Sequence, residues 1–207
     1  MASRKVRFMR FESVGPSAVR AIRQREFLKD WIRLYARQSG IPPMAEFEPA
    51  RIGDEMPDLM IYDVEYIESE PHYRVTHEGR RLIDAYGITG IGQHLQNTIS
   101  PALWIYLEPI YRKCVSTALP VYSAFHVTDA EGRKVKYERL LLPFGTDGVV
   151  HNMMASIKAI SEEGRFTNTN LMRPVNHDPK YTLRAVIDTG LAATSRHISI
   201  EGDVVEI

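Results

Sequence analysis

With 207 residues, a single cysteine and 26 basic residues balancing 26 acidic ones, the chain is sized for one ordinary domain with extensions. The neutral balance leaves no global field to draw it onto nucleic acid or an anionic membrane, and the lone Cys114 excludes an internal disulfide framework and any cysteine-based zinc site. No apolar run approaches the roughly 18 residues of a membrane span, and Met1 to Arg10 has no apolar signal core behind its basic residues, so a soluble cytoplasmic protein is expected.

In chain order, residues 1–16 are basic and aperiodic and read as a flexible arm. Ser17 offers an N-cap for a helix to Gln38, with Gly40 and Pro42 as stop signals, so 17–40 forms one amphipathic unit. Val19, Ile22, Phe27, Leu28, Trp31, Ile32, Leu34 and Tyr35 recur at helical spacing, with arginines on much of the opposite face. This stripe must be covered by the chain's own sheet or by a second copy. A homodimer through this helix is expected, with Phe27, Leu28, Trp31 and Tyr35 as its contacts. Glu26 and Asp30 argue against a membrane-surface or DNA-binding helix.

Leu59 to Glu65 is apolar on both faces and predicts a strand, and Tyr73 to Thr76 predicts a second. His77 to Tyr86 reads as a helix stopped by Gly87, followed by turns at Gly90 and Gly92. Ser100 and Pro101 open another helix by the cap-then-proline rule, and Pro109 should kink or divide it. Tyr111, Cys114, Val115 and Ala118 share one stripe of that helix, which makes Cys114 a small buried hydrophobe.

Three strands follow Pro120. Val121 to Thr128, Lys134 to Pro143 and Val149 to Lys158 are separated by turn clusters at Asp129 to Gly132 and Gly145 to Gly148, which is the pattern of an antiparallel meander. If the turns close symmetrically, Arg139 lies opposite Tyr122 and Met153. One face then carries Tyr122, Ala124, His126, Val135, Tyr137, Arg139, Leu141, His151, Met153 and Ala155. Beyond it, residues 161–180 read as a linker, and Tyr181 to Asp188 and Ile198 to Ile207 as short strands of a C-terminal extension, 161–207.

The phrases Leu59 to Glu65, Tyr73-Arg74-Val75-Thr76, Gly79-Arg80-Arg81-Leu82-Ile83, Tyr86-Gly87, Pro120-Val121-Tyr122 and Val135 to Pro143 resemble the PAS domain as found in short bacterial single-PAS proteins. The resemblance implies an α+β fold over residues 41–160, with a five-stranded antiparallel sheet and helices closing a pocket over one face. It also implies a role in signal transduction, as a sensor or in protein–protein interaction. His197 to Gly202, with Lys180 and Arg184, is similar to the nucleotide-binding signature of PilZ domains, but His197 and Lys180 depart from that pattern.

The candidate pocket residues are Arg139, Tyr122, Tyr137, Met153, His151 and Tyr62. An arginine on an apolar sheet face must find a partner, either a small anionic ligand or a structural carboxylate. Pro101 to Leu119 has no histidine to ligate haem, and Lys113-Cys114-Val115 does not match the Asn-Cys-Arg-Phe phrase of flavin photosensors, so neither cofactor is favoured. The seven histidines form no local metal motif, and no nucleophile elbow or phosphate loop is present. The reading is therefore a non-catalytic sensory protein that binds a small molecule, an unidentified signalling protein, or both. The alternative is a small cone-shaped α+β enzyme acting on a small anionic substrate, which calls for a carboxylate-bearing pocket.

Overall fold

The computed structural model describes residues 7–129, 131–161, 164–172, 180–190 and 203–205. The elements are β1 (Arg7–Met9), β2 (Glu12–Val14), α1 (Ile22–Gln38), α2 (Ile52–Glu55), β3 (Leu59–Ile67), β4 (Glu70–Glu78), α3 (Arg80–Tyr86), α4 (Leu95–Thr98), α5 (Pro101–Thr117), β5 (Val121–Thr128), β6 (Lys134–Thr146), β7 (Val149–Ser161), β8 (Lys180–Ile187) and β9 (Asp203–Val205).

The main sheet has seven strands in the order β2-β8-β5-β6-β7-β3-β4, not five, and it is mixed, because β2 runs parallel to β8. The two additional strands lie beyond β5, where they satisfy backbone groups that an open edge would leave unpaired. One of them, β2, comes from the segment expected to be a free arm. Strands β1 and β9 pair separately. The PilZ-like stretch 197–202 lies outside the described residues.

Helix α1 begins at Ile22, later than the expected start at Ser17. Pro16–Ala18 forms a single 3-10 turn, and the chain then extends at Val19, which it buries. At the other end Ser39, not Gly40, takes the left-handed position, with φ 54. Ser100 caps α5 as expected, accepting the Leu103 N–H at 3.3 Å. Pro109 does not divide α5. The loss of one backbone donor is outweighed by burial of Leu107, Ile110 and Tyr111 around it.

Register determines what Arg139 faces. Strands β6 and β7 join through Asp147 and Gly148, both left-handed at φ 51 and φ 78, with a bulge between Phe144 and Gly145. Between β5 and β6 the closing bond runs from the Asp129 N–H to the Arg133 carbonyl at 2.9 Å. These closures place Arg139 opposite Ser123 and Ile157, while Tyr122 pairs with Leu140 and Met153 with Pro143. The expected Tyr122–Arg139–Met153 alignment is therefore corrected. A shift of one residue across β5–β6 sends Tyr122, Ala124 and His126 to the opposite face.

Both faces of the sheet are covered, not one. The Phe47 ring stands 6.2 Å from Phe27 of α1 and 5.1 Å from Phe144 of β6, on the face of Leu140 and Tyr122. The Gln24 amide donates to the Glu138 and Ser156 carbonyls at 3.1 and 2.8 Å, and the Trp31 indole to the Pro143 carbonyl at 2.7 Å. Helix α5 covers the Arg139 face.

Candidate functional site

Arg139 sits in mid-β6 with none of its surface exposed. Its guanidinium carbon is 5.4 Å from the centroid of Phe125 on β5 and 5.9 Å from that of Tyr111 on α5, so aromatic faces flank the charge. The Tyr111 hydroxyl is held at 2.9 Å by that of Tyr62 on β3, which also reaches the Met60 sulfur at 3.2 Å. Tyr181 of β8 packs on Phe125 with ring centroids 5.0 Å apart. Four elements thus converge on the cation that β6 carries.

The polar satisfaction of that cation is incomplete. Nη2 donates to the Tyr86 hydroxyl at a marginal 3.5 Å, whereas Nε and Nη1 have no partner, and Arg139 makes no ion pair among the described residues. Burial opposes its charge. The surrounding phenols of Tyr111, Tyr86, Tyr181 and Tyr62 favour it, with a net upward shift of its pKa. Those phenols do not supply a counter-charge. Burial pushes Tyr111 up to about 12 against the pull of Arg139, and raises Tyr62 and Tyr86 as well, so all three stay protonated at neutral pH. Two further buried hydroxyls on the same face have no partner: Ser123, directly across from Arg139, and Tyr137, two residues along its strand. The cage is rich in donors and carries no negative charge among the described residues.

A recess of about 10 Å³, room for about one water, shares Tyr86 with the cage and is lined by Met60, Glu78, Tyr86, Ile88, Leu95, Thr98 and Ile99. Tyr86 belongs to both spaces, and Met60 links them through its contact with Tyr62. The Glu78 carboxylate accepts the Gly90 N–H at 2.8 Å and so fixes the turn that carries the exposed Ile88. Helix α3 is held close beneath: a Cβ on Gly79 would meet the Pro57 carbonyl oxygen at 2.3 Å.

The structure brings together Arg139, Tyr137 and Tyr62 of the predicted pocket residues. Met153 is buried on the same face, but it lies opposite Tyr62 and Pro143, away from the Arg139 row. Tyr122 faces α1, and His151 is exposed next to the bulge. Neither belongs to the cage. Cys114 is buried, and burial pushes its thiol far up, leaving it a neutral packing group. Phe27, Leu28 and Trp31 are buried within the chain, and Tyr35 stacks on Trp31 at 5.0 Å, so the stripe expected to form a dimer face already covers the sheet. Sequence reasoning missed Ser123, Phe125, Tyr86, Tyr111 and Tyr181. Only Tyr111 gave a signal, as a member of the α5 stripe.

A PAS domain family model matches residues 19–157. No curated protein matches the chain significantly. Among solved structures, the chain is similar to the Rhodobacter sphaeroides LOV protein at 13% identity and a TM-score of 0.37, covering 52% of this chain and 62% of that one. It is also similar to the dark structure of the blue-light photoreceptor Aureochrome1 LOV, at 12% identity and a TM-score of 0.37, covering 54% and 80%. The chain therefore spans less than two thirds of the Rhodobacter sphaeroides chain. Among the described residues, no helix is long and apolar enough to cross a membrane.

Proposed function

The chain belongs to the PAS-domain family, and from that premise we propose that it is a non-catalytic sensory protein whose cage takes a small anion at Arg139 and reports occupancy to a protein partner. The observation that carries this reading is the full burial of Arg139 with two guanidinium nitrogens unpaired and no ion pair among the described residues. A buried charge without a partner costs several kcal/mol, and an anion accepting its N–H groups offsets that cost. The donors and rings of the cage, with no carboxylate at its centre among the described residues, favour binding over the acid–base chemistry that the enzyme alternative needs. Occupancy would draw together β3, β5, β6, β8, α3 and α5, because each contributes a cage residue, and so would stiffen the sheet that a partner or a second copy could contact. With the α1 stripe already covered, a homodimer would use another surface.

Thermal melts of the intact chain and of Arg139→Met in chloride, acetate and phosphate test this reading. Anions are expected to raise the Tm of the wild type only. Without them the variant should lose no more than about 1 to 2 kcal/mol, the worth of the ring contacts of the cation, since Met fills the arginine stem and removes an unpaired charge. An equal anion effect in both proteins would overturn the reading. So would a variant destabilised by about 3 to 5 kcal/mol in every buffer, the signature of a broken structural ion pair.

A further inference from the structure

We infer that the outward face of α1 docks an acidic helix of a partner protein, with Arg25 and Lys29 as its charges and Ile22 as its apolar anchor. The inference rests on the part of the reading above that gives the chain a protein partner, and not on an anion at Arg139, which lies on the other face of the sheet. Helical spacing puts Ile22, Arg25, Lys29 and Arg33 in one row, with successive cations about 6 Å apart along the axis. All four are exposed, Ile22 by 67%. The carboxylates of this helix are already engaged. Glu26 takes Arg23 at 2.6 Å and Asp30 takes Arg33 at 2.8 Å, while Arg25 and Lys29 meet no carboxylate among the described residues. The row works against its own helix. Arg25 and Lys29, then Lys29 and Arg33, are like charges four residues apart, and Arg23 and Arg25 stand near the positive end of the helix dipole, where the first turn has no acidic residue and no side-chain cap. A carboxylate row brought by a partner relieves both. Other polyanions fit worse. Helix α1 cannot sink into a bilayer, because Phe27, Leu28 and Trp31 already face the sheet. On a phosphate backbone Glu26 and Asp30 would meet like charge, and Ile22 would have no apolar partner.

The test is fluorescence anisotropy at low salt with the intact chain and a synthetic helical peptide that carries one leucine and three glutamates at the spacing of Ile22, Arg25, Lys29 and Arg33. A peptide of the same composition with its glutamates spread round the helix, a DNA duplex and phosphatidylglycerol vesicles are the controls. Arg25→Glu puts an acid near the helix start and four residues before Lys29, a favourable pair, so the variant should fold and melt no lower than the wild type. The patterned peptide is expected to bind the wild type about tenfold more tightly than the spread peptide, and to lose about tenfold in affinity in Arg25→Glu, with a smaller loss in Ile22→Ser. Equal binding of the two peptides, binding of neither, or no loss in Arg25→Glu would overturn the inference. A lower Tm of Arg25→Glu would also overturn it, by making Arg25 a structural group. So would tighter binding of the duplex or the vesicles that is lost in Arg25→Glu, which would assign the row to phosphate. None of these results touches the anion effect, which is read from the melts of Arg139→Met without peptide.

Discussion

The guanidinium of Arg139 and the ring of Tyr111 meet 5.9 Å apart across the interface between β6 and α5, and this contact joins the sheet to the helix that covers it. Behind it the Tyr62 and Tyr111 hydroxyls bond at 2.9 Å, tying the same helix to β3. The aromatic cage is therefore also the clamp between the two layers of the domain.

Tyr111→Phe should keep the ring under Arg139 and lose only the hydroxyl pair, lowering stability by about 1 kcal/mol. Tyr111→Leu should lower it by about 1 to 2 kcal/mol more, since the desolvated cation–π contact goes as well. Urea denaturation of the three proteins gives the two steps directly. Equal stability of Tyr111→Phe and Tyr111→Leu would mean that the ring contributes nothing to holding the cation.

Trp31 of α1 donates to the Pro143 carbonyl at 2.7 Å from full burial. Trp31→Ala should therefore cost about 3 to 5 kcal/mol by leaving a cavity and an unpaired carbonyl. Because the stripe packs within one chain, this loss should not depend on protein concentration. A wild-type midpoint that rose with concentration, and lost that rise in Trp31→Ala, would return the stripe to a dimer interface.

Two carboxylates set the acid limb of the stability profile. Glu65 falls from the ordinary carboxylate range to about 2, chiefly through its hydrogen bond from Arg74 and next through that with His94. Burial works against the charge of Asp129, but the backbone and side chain of Arg133 and the backbone N–H of Thr167 overcome it and bring its pKa to about 2. Both pKa values are lower in the folded chain than in the unfolded one, so the folded state binds fewer protons. The stabilisation is fully present above about pH 5 and fades as pH falls toward 2. Asp129→Asn and Glu65→Gln should each flatten the loss between pH 5 and pH 2, which melting curves across that range would show. An unchanged slope in both variants would remove these groups from the acid transition.

Gly145 marks the bulge that ends the β6–β7 register. A Cβ there would stand 1.8 Å from the Val149 carbonyl oxygen, so neither strand can hold its place. Gly145→Ala should destabilise by well over the ~1 kcal/mol of a typical substitution. Gly132→Ala, where a Cβ meets nothing within 4 Å but φ is +83, should show only the smaller cost of a left-handed alanine. Chemical denaturation of both variants orders them, and the reverse order would contradict the bulge geometry.

Local chemistry in the sequence located the elements well. Alternation outlined β5, β6 and β7, Ser100 and Pro101 marked the start of α5, and Gly87 closed α3 in the left-handed conformation. Register was less legible. One closing bond between Asp129 and Arg133 decides whether Tyr122 or Ser123 stands across from Arg139, and no single residue type encodes that bond. The alternation rule still placed Arg139 and Tyr137 on one buried face, because those residues share a strand. Tyr86, Tyr111 and Tyr181 reach the cage from segments far apart in the chain, so only the tertiary fold reveals their convergence. The α1 stripe gave the right face but not its cover: a homodimer contact was expected there, and burial of Phe27, Leu28 and Trp31 within one chain puts the sheet of the same chain against it.

The central claim is that Arg139 is held for an anion and not for a carboxylate of its own chain. A crystal structure of the intact protein grown in acetate tests it most directly. The account predicts a single planar anion within hydrogen-bond distance of the Arg139 guanidinium, between the Tyr111 and Phe125 rings, with Tyr86 alongside. Arg139 paired with an Asp or Glu of the protein, or turned out of the core into solvent, would contradict it.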